Sequence, residues 1–279
     1  MNVPSDLPGL TPAAEEARPW PLVEAELPTR RIVTRVGQHA IHALEVGEGS
    51  ECVALVHGLS GSSRWWRRNL AAFGRRYRVL VPDLVGFGRT GCGGRVPSIP
   101  EAARVLCEWL DRLGVERAHM VGHSMGGQIA VHLAARYPER LQRLVLVDAA
   151  GIARPLQPRA LAQFALGVAP PRRWGDPFFI PVIMRDALST GPRRILQATM
   201  HILRDDVRPL LPSIQAPTLV VWGEWDTLVP VEHAREFRSR IPGARLVVLG
   251  RAAHNPMVDR AADFNRMVLR FLAGEEIGE

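Results

Sequence analysis

A serine in a Gly-x-Ser-x-Gly pattern is the strongest chemical signal in this sequence. Ser124 lies between Gly122 and Gly126, after an apolar stretch that ends at Val121 and before helix-forming residues that stop at Pro138. This pattern between a strand and a helix predicts a sharp turn that strains the serine backbone and exposes its hydroxyl. The helix behind the serine offers unpaired N–H groups to a developing negative charge. The sequence therefore predicts a serine nucleophile.

A histidine and a carboxylate are needed beside this serine, because the hydroxyl is a weak nucleophile without a base. Residues that follow parallel strands are the best candidates, since the carboxyl ends of such strands meet at one edge of a sheet. Asp226 follows the apolar run 218–222, and His254 follows the run 245–249. The chain order Ser124, Asp226, His254 is the order expected for a nucleophile on a strand–turn–helix motif.

Other acids and histidines are weaker candidates. Asp148 is the alternative acid, because it directly follows the apolar run 144–147. Glu224, two residues before Asp226, is expected to face away from the site. The remaining histidines lie in or beside predicted strands, helices or a surface hairpin and are expected to be structural or solvated: His39, His42, His57, His119, His123, His132, His201 and His233.

An acyl-enzyme mechanism also needs two backbone N–H donors for the oxyanion. Met125 directly follows the predicted nucleophile and supplies the first donor. The second is expected from the loop after the apolar run 52–56, where Leu59 is the first choice and Ser60 the alternative. Gly58 supports this choice, because a glycine lets the loop turn sharply beside the nucleophile.

The elements that must position these residues alternate between buried strands and helices, which is typical of an α/β fold. We predict a mostly parallel sheet of about eight strands, with helices on both faces and an antiparallel start within residues 29–45. The alternation stops after Gly151, where a proline-rich stretch without buried-strand patterns predicts a helical insertion. The predicted organisation is an N-terminal arm at 1–28, an α/β core at 29–151 and 213–279, and a helical cap at 152–212.

Composition and charge narrow the possible partners. The chain is 47% hydrophobic and 23% charged, as globular chains are. All 35 basic residues are arginines, and the net charge is +7, but they are scattered, so no nucleic-acid partner is predicted. Cys52, Cys92 and Cys107 lack metal-ligand spacing and are expected to be buried or loop thiols. With neither a signal-peptide pattern nor a long apolar run, we expect a cytoplasmic protein without an integral membrane segment.

The motifs together resemble those of the α/β-hydrolase superfamily, in particular its capped serine esterase-like members, over residues 30–273. The resemblance rests on His57-Gly58, Asp83-x-x-Gly86-x-Gly88, Gly122-x-Ser124-x-Gly126, Gly223-x-x-Asp226-x-x-Val229-Pro230 and Ala253-His254. It implies that the insertion covers the active site as a cap. It also implies an apolar pocket for the acyl or alcohol group, with Leu59 and Met125 in its wall and four substrate-binding residues: Trp65, Phe178, Phe179 and Met184.

These observations predict a carboxylic ester hydrolase that works through a Ser-His-Asp triad and needs neither a metal nor an organic cofactor. The expected substrate is a small apolar ester, and the expected state is a monomer or a homodimer. Ser124 argues against the superfamily's haloalkane dehalogenases and epoxide hydrolases, whose nucleophile is a carboxylate. A carbon–carbon bond hydrolase, a lactonase and an acyltransferase are alternatives, although Asn255 stands where the carbon–carbon bond hydrolases usually carry Trp. A non-catalytic binding protein for small ligands is the alternative of another class.

Overall fold

A mixed sheet lies at the centre of the computed structural model, which describes residues 27–152 and 175–277. Its strands are β1 (Thr29–Val36), β2 (His39–Val46), β3 (Cys52–Val56), β4 (Arg78–Pro82), β5 (Ala118–His123), β6 (Leu141–Val147), β7 (Thr218–Gly223) and β8 (Arg245–Leu249). In space they follow the order β1-β2-β4-β3-β5-β6-β7-β8. Strand β2 is antiparallel to both β1 and β4, and all other neighbours are parallel. The predicted mostly parallel, eight-stranded sheet is confirmed.

Helices cover both faces of the sheet. They are α1 (Arg67–Gly74), α2 (Ile99–Arg112), α3 (Met125–Arg136), α4 (Ile180–Thr190), α5 (Pro192–Arg204), α6 (Val231–Arg240), α7 (Pro256–Asp259) and α8 (Ala261–Leu272). Two 3-10 turns, Ser63–Trp66 and Pro177–Phe179, precede α1 and α4. The start of α2 shows why a helix begins at this point of the sequence. The Ser98 backbone N–H donates to the Glu101 carboxylate at 2.8 Å. This reciprocal capping arrangement satisfies the free donors of the first turn.

The central strands are buried on both faces, which explains their continuous apolar sequences. In β3, Ala54 and Val56 face one core layer, which they share with Trp109 of α2 and Phe237 of α6. The alternating residues Val53 and Leu55 face the other layer, with aromatic side chains from α1 and α8 that include Phe73 and Phe264. Strand β3 therefore presents every residue to a packed layer, and this fixes the position of the loop at its carboxyl end.

The segment between β6 and β7 contains helices α4 and α5 among its described residues, and no strand is found in its described part, 175–212. This agrees with the helical character predicted there. Residues 153–174 of the predicted cap and residues 1–26 of the predicted arm lie outside the described residues. The division into arm, core and cap stays a prediction.

A membrane crossing would need a helix of about 20 apolar residues. Among the described helices, none is long and apolar enough to cross a bilayer.

Candidate active site

Ser124 occupies a strained turn between β5 and α3. Its backbone has φ 51° and ψ −117°, a conformation that costs a non-glycine residue about 1–3 kcal/mol. The Ser124 N–H donates to the Val147 carbonyl of β6 at 2.9 Å, and the Ser124 carbonyl accepts from Gly127 N–H at 2.9 Å and Ala150 N–H at 3.0 Å. These bonds hold the turn in place, so the predicted strand–turn–helix motif is present around Ser124.

The two flanking glycines are required by close backbone packing. A Cβ atom on Gly122 would lie 2.5 Å from the carbonyl oxygen of Gly126. A Cβ atom on Gly126 would lie 2.5 Å from the carbonyl oxygen of Val56, at the end of β3. Both distances are shorter than any van der Waals contact, so only glycine lets α3 start this close to the sheet.

His254 and Asp226 form a hydrogen-bonded pair at the carboxyl edge of the sheet. His254 Nδ1 lies 2.8 Å from Asp226 Oδ2. The other carboxylate oxygen accepts from Leu228 N–H at 2.8 Å and Val229 N–H at 3.0 Å. Because this carboxylate only accepts hydrogen bonds, Nδ1 carries the imidazole proton and Nε2 keeps its lone pair. That is the tautomer a general base needs.

A second histidine, His123, holds the backbone that carries His254. Its Nε2–H donates to the His254 carbonyl at 2.7 Å, and the two ring centroids are 4.8 Å apart. Burial lowers the pKa of His123 well below its ordinary value, so this imidazole is neutral. The structural role expected for His123 agrees with this contact, although its bond to the His254 loop could not be read from the sequence.

The loop after β3 passes directly beside Ser124. A Cβ atom on Gly58 would lie 3.0 Å from the Ser124 Cβ, so the backbone that leads to Leu59 approaches the serine closely. His57 fixes this loop, since its Nδ1–H donates to the Gly58 carbonyl at 2.8 Å and its Nε2 accepts from Leu84 N–H at 3.0 Å. Burial lowers the pKa of His57, which keeps the ring neutral and both hydrogen bonds intact.

A carboxylate from the insertion holds the continuation of the same loop. Asp186 on α4 is buried, and its side chain accepts from Ser62 Oγ at 2.6 Å, Arg64 Nη1 at 3.0 Å and Trp65 Nε1 at 3.1 Å. From the core side, Asp83 accepts from Ser63 N–H at 2.6 Å. The segment that follows the expected oxyanion donor is therefore fixed from two directions.

The four predicted substrate-binding residues separate into two pairs. Trp65 and Phe179 are buried with their ring centroids 5.5 Å apart, and the Trp65 ring lies 5.7 Å from that of His123. Phe178 and Met184 are instead 63% and 58% exposed. The structure brings the first pair to the histidines and leaves the second pair at the surface.

An apolar pocket has Met125 in its wall. Met125 was predicted in the wall of a substrate pocket, but none of the other residues that line this one was. Helix α2 and the loop after β4 line most of it. Its apolar residues are Ile41, Pro82, Leu84, Val85, Phe87, Val96, Pro97, Ile99, Ala102, Val105, Leu106, Trp109, Met125 and Ile129. The ring of Phe87 is 6.0 Å from that of His57, which connects the pocket to the loop beside Ser124.

The alternative acid, Asp148, also reaches this site. Its Oδ1 accepts from Gly223 N–H at 2.9 Å. One oxygen of Asp148 and one ring nitrogen each of His123 and His254 lie within 4.8 Å of one another. Although such a group can hold a metal, His254 Nδ1 is bonded to Asp226 and His123 Nε2 to a backbone carbonyl. We therefore assign no metal to this cluster.

A family model described as the alpha/beta hydrolase fold matches residues 52–173 and 182–261 of this chain. The chain therefore belongs to the α/β-hydrolase family, as its motifs indicated. Together with the relatives described next, this makes the protein a hydrolase.

Curated and solved relatives extend this comparison. The chain is 34% identical to a 2-hydroxy-6-oxononadienedioate/2-hydroxy-6-oxononatrienedioate hydrolase of Burkholderia vietnamiensis, over 83% of this chain and 90% of that one. It is 28% identical to an enol-lactonase from Burkholderia xenovorans, with a TM-score of 0.74 over 87% of this chain and 100% of that one. A thermophilic esterase from Thermogutta terrifontis gives 26% identity and a TM-score of 0.73, over 88% and 98% of the two chains.

Proposed function

We propose that this hydrolase cleaves small apolar carboxylic esters through an acyl-enzyme on Ser124. In this proposal His254 is the general base and Asp226 is the acid that orients it. The observation that carries the proposal is the 2.8 Å bond between His254 Nδ1 and Asp226 Oδ2. That pair lies at the sheet edge where the strained turn presents Ser124.

The reaction has two halves that use the same groups. Ser124 Oγ attacks the ester carbonyl carbon while its proton passes to His254 Nε2, and Asp226 stabilises the imidazolium. The tetrahedral intermediate collapses, and the leaving alkoxide takes that proton from His254. A water molecule then gives a proton to His254 and attacks the acyl-enzyme, which releases the carboxylic acid and restores Ser124.

Backbone donors stabilise the oxyanion in both halves. We assign the first to Met125, because the first N–H groups of a helix have no intrahelical partner. We assign the second to Leu59, because the preceding Gly58 packs against the Ser124 side chain. Loss of one such donor typically costs about 10²–10³ in kcat.

The surroundings of Ser124 favour an apolar, uncharged substrate. Trp65 and Phe179 form an apolar wall beside His123. Among the described residues, the lining of the pocket that includes Met125 is apolar apart from Asp83. We propose that these two surfaces receive the acyl and alcohol groups, with the insertion at 152–212 as the cap over them.

A carbon–carbon bond hydrolase is the second candidate. The 34% identical relative has such a substrate in its name, and that substrate is a dicarboxylate. A dicarboxylate calls for cationic partners, and among the described residues none lines the pocket that includes Met125. The esterase and enol-lactonase likenesses agree better with an ester or lactone bond.

Hydrolysis of p-nitrophenyl esters from acetate to palmitate tests the proposal. We expect turnover that peaks at short or medium acyl chains and falls by about 10⁶-fold in Ser124→Ala. Lactones and a 2-hydroxy-6-oxo-dienoate are assayed in parallel to rank the alternatives. Full esterase activity in Ser124→Ala, or turnover of the dienoate alone, would overturn the ester proposal.

A further inference from the structure

The carboxylate of Asp259 bonds the backbone just before His254. Asp259 is the last residue of α7 and lies five positions after the histidine. Its Oδ2 accepts from the Ala253 N–H at 2.8 Å. The His254 carbonyl, on the other side of the same residue, accepts from His123 at 2.7 Å. The backbone that carries the His254 ring is therefore held by a side chain on each side.

The second oxygen of this carboxylate binds the insertion. Asp259 Oδ1 accepts from the Asp176 N–H at 2.9 Å, where the described part of the insertion begins. The chain comes close here, because a Cβ atom on Gly175 would lie 2.7 Å from Asp259 Oδ1. Arg68 of α1 supports the contact, since its Nη1 lies 2.5 Å from Asp176 Oδ2 and donates to the Val258 carbonyl at 2.8 Å.

Both contacts of Asp259 require its two oxygens as acceptors. Burial raises the pKa of Asp259, whereas the N–H bonds from Asp176 and Ala253 and the charge of Arg68 act against this rise. An amide in the same place has one acceptor oxygen and one NH₂ donor. With asparagine at this position, one of the two backbone N–H groups would face another donor.

We propose that Asp259 is a positioning residue that sets the place of His254 and makes that place depend on how the insertion lies on the core. This inference rests on the proposed function, because it takes His254 as the base for Ser124. Without the bond to Asp259, the Ala253 N–H loses its acceptor and the loop relaxes, which moves the His254 ring away from Ser124. A misplacement of about 1 Å can cost about 10²-fold in rate.

Asp259→Asn tests the bond to the histidine loop. We expect both kcat for ester hydrolysis and the rate of Ser124 labelling by a fluorophosphonate to fall by about 10²-fold. KM should change little, because the lost alignment matters in the transition state. Asp263→Asn on α8 is the matched control. Its carboxylate pairs with Arg260 and Arg266 at the partly exposed surface, so both rates should stay within about threefold of wild type.

Two substitutions at Asp176 test the bond to the insertion. Asp176 has a φ of −69°, which proline adopts. Asp176→Pro and Asp176→Ala both lose the contacts of the side chain, but only proline also lacks the N–H that binds Asp259. We therefore expect labelling of Ser124 to be about tenfold slower in Asp176→Pro than in Asp176→Ala. Urea unfolding checks that each variant is folded in the assay.

The position of the His254 ring is read directly by proton NMR. The Nδ1–H that bonds Asp226 gives a downfield resonance, which is assigned by its absence in His254→Ala. We expect this resonance to shift in Asp259→Asn and Asp176→Pro and to keep its place in the two control variants. A merely structural Asp259 would lower stability in urea but leave the resonance and the labelling rate unmoved.

The labelling reaction separates this proposal from the ester proposal, because it uses the same nucleophile and base but no ester. If wild type is labelled and cleaves no ester, the ester proposal fails while the labelling rates still test Asp259. The proposal for Asp259 is overturned if Asp259→Asn keeps the wild-type labelling rate, or if Asp176→Pro is labelled as fast as Asp176→Ala.

Discussion

At the scale of single residues, the site depends on keeping several imidazoles neutral. Burial lowers the pKa of His57 and of His123, and each neutral ring makes a hydrogen bond that positions a loop beside Ser124. His119 of β5 is a third case at the other end of the same strand. Burial, with help from Arg143 and Arg117, lowers its pKa to about 4.

These histidines predict acid sensitivity of the fold. The unfolded His119 imidazole takes up a proton below a pKa of about 6.5, whereas the folded one does so only near 4. Its stabilising contribution is therefore complete above pH 6.5 and is lost as the pH falls from 6.5 towards 4. We expect His119 alone to lower the free energy of unfolding by about 2 kcal/mol between pH 7.5 and pH 5.

Urea unfolding of wild type and His119→Phe at these two pH values measures this contribution. Both ring nitrogens of His119 lack hydrogen-bond partners within the described part of the chain, and its ring packs 5.6 Å from Tyr77, so phenylalanine suits the site. Between pH 7.5 and pH 5, the free energy of unfolding of His119→Phe should fall by about 2 kcal/mol less than that of wild type. An equal loss in both proteins would show that His119 is protonated in the fold.

At the scale of elements, the buried carboxylate of Asp186 joins helix α4 of the described insertion to the core. Asp186 of α4 collects hydrogen bonds from Ser62, Arg64 and Trp65, which lie just beyond the loop that contains Leu59. The position of α4 and the position of that loop are therefore linked. A substitution at Asp186 should therefore alter the loop that contains Leu59, although the two are more than 120 positions apart in the sequence.

We predict that Asp186→Ala lowers the free energy of unfolding by about 3–5 kcal/mol, because it leaves the buried partners of the carboxylate unsatisfied. In the same variant kcat should fall more than KM rises, since Leu59, the proposed oxyanion donor, moves away from the position at which it would stabilise the transition state. Urea unfolding and ester kinetics measure the two effects.

Asp206→Ala is the matched control for Asp186→Ala. Asp206 pairs with Arg208 at 2.5 Å, but both side chains are about one third exposed, and exposed pairs contribute about 0–1 kcal/mol. The account of Asp186 is contradicted if both variants lose similar stability, or if kcat in Asp186→Ala equals that of wild type.

At the scale of the whole molecule, the sequence was sufficient to predict the residues that lie at the carboxyl ends of the strands. Ser124, Asp226 and His254 each follow an apolar run, and a parallel sheet brings such positions to one edge whatever the loops do. The bond between His254 and Asp226 and the turn at Ser124 are therefore consequences of topology. The sheet and the helices of the core were predicted from the alternation of buried-strand and helix patterns along the sequence.

The parts that depend on packing could not be predicted in this way. Phe178 and Phe179 are consecutive, yet one is 63% exposed and the other buried, because a 3-10 turn directs them to opposite sides. The contact of Asp186 with Ser62 joins residues 124 positions apart, and no local pattern marks it. Asp148 was recognised as an acid at a strand end, but no local pattern marks its approach to within 4.8 Å of a His254 ring nitrogen.

The central claim is that His254 and Asp226 activate Ser124, and covalent labelling tests it most directly. The protein is treated with a fluorophosphonate, and the site and rate of modification are measured by mass spectrometry in wild type, Ser124→Ala and His254→Ala. We predict one adduct on Ser124, none in Ser124→Ala, and labelling slowed by at least about 10³-fold in His254→Ala. No adduct in wild type, or an unchanged rate in His254→Ala, would contradict the claim.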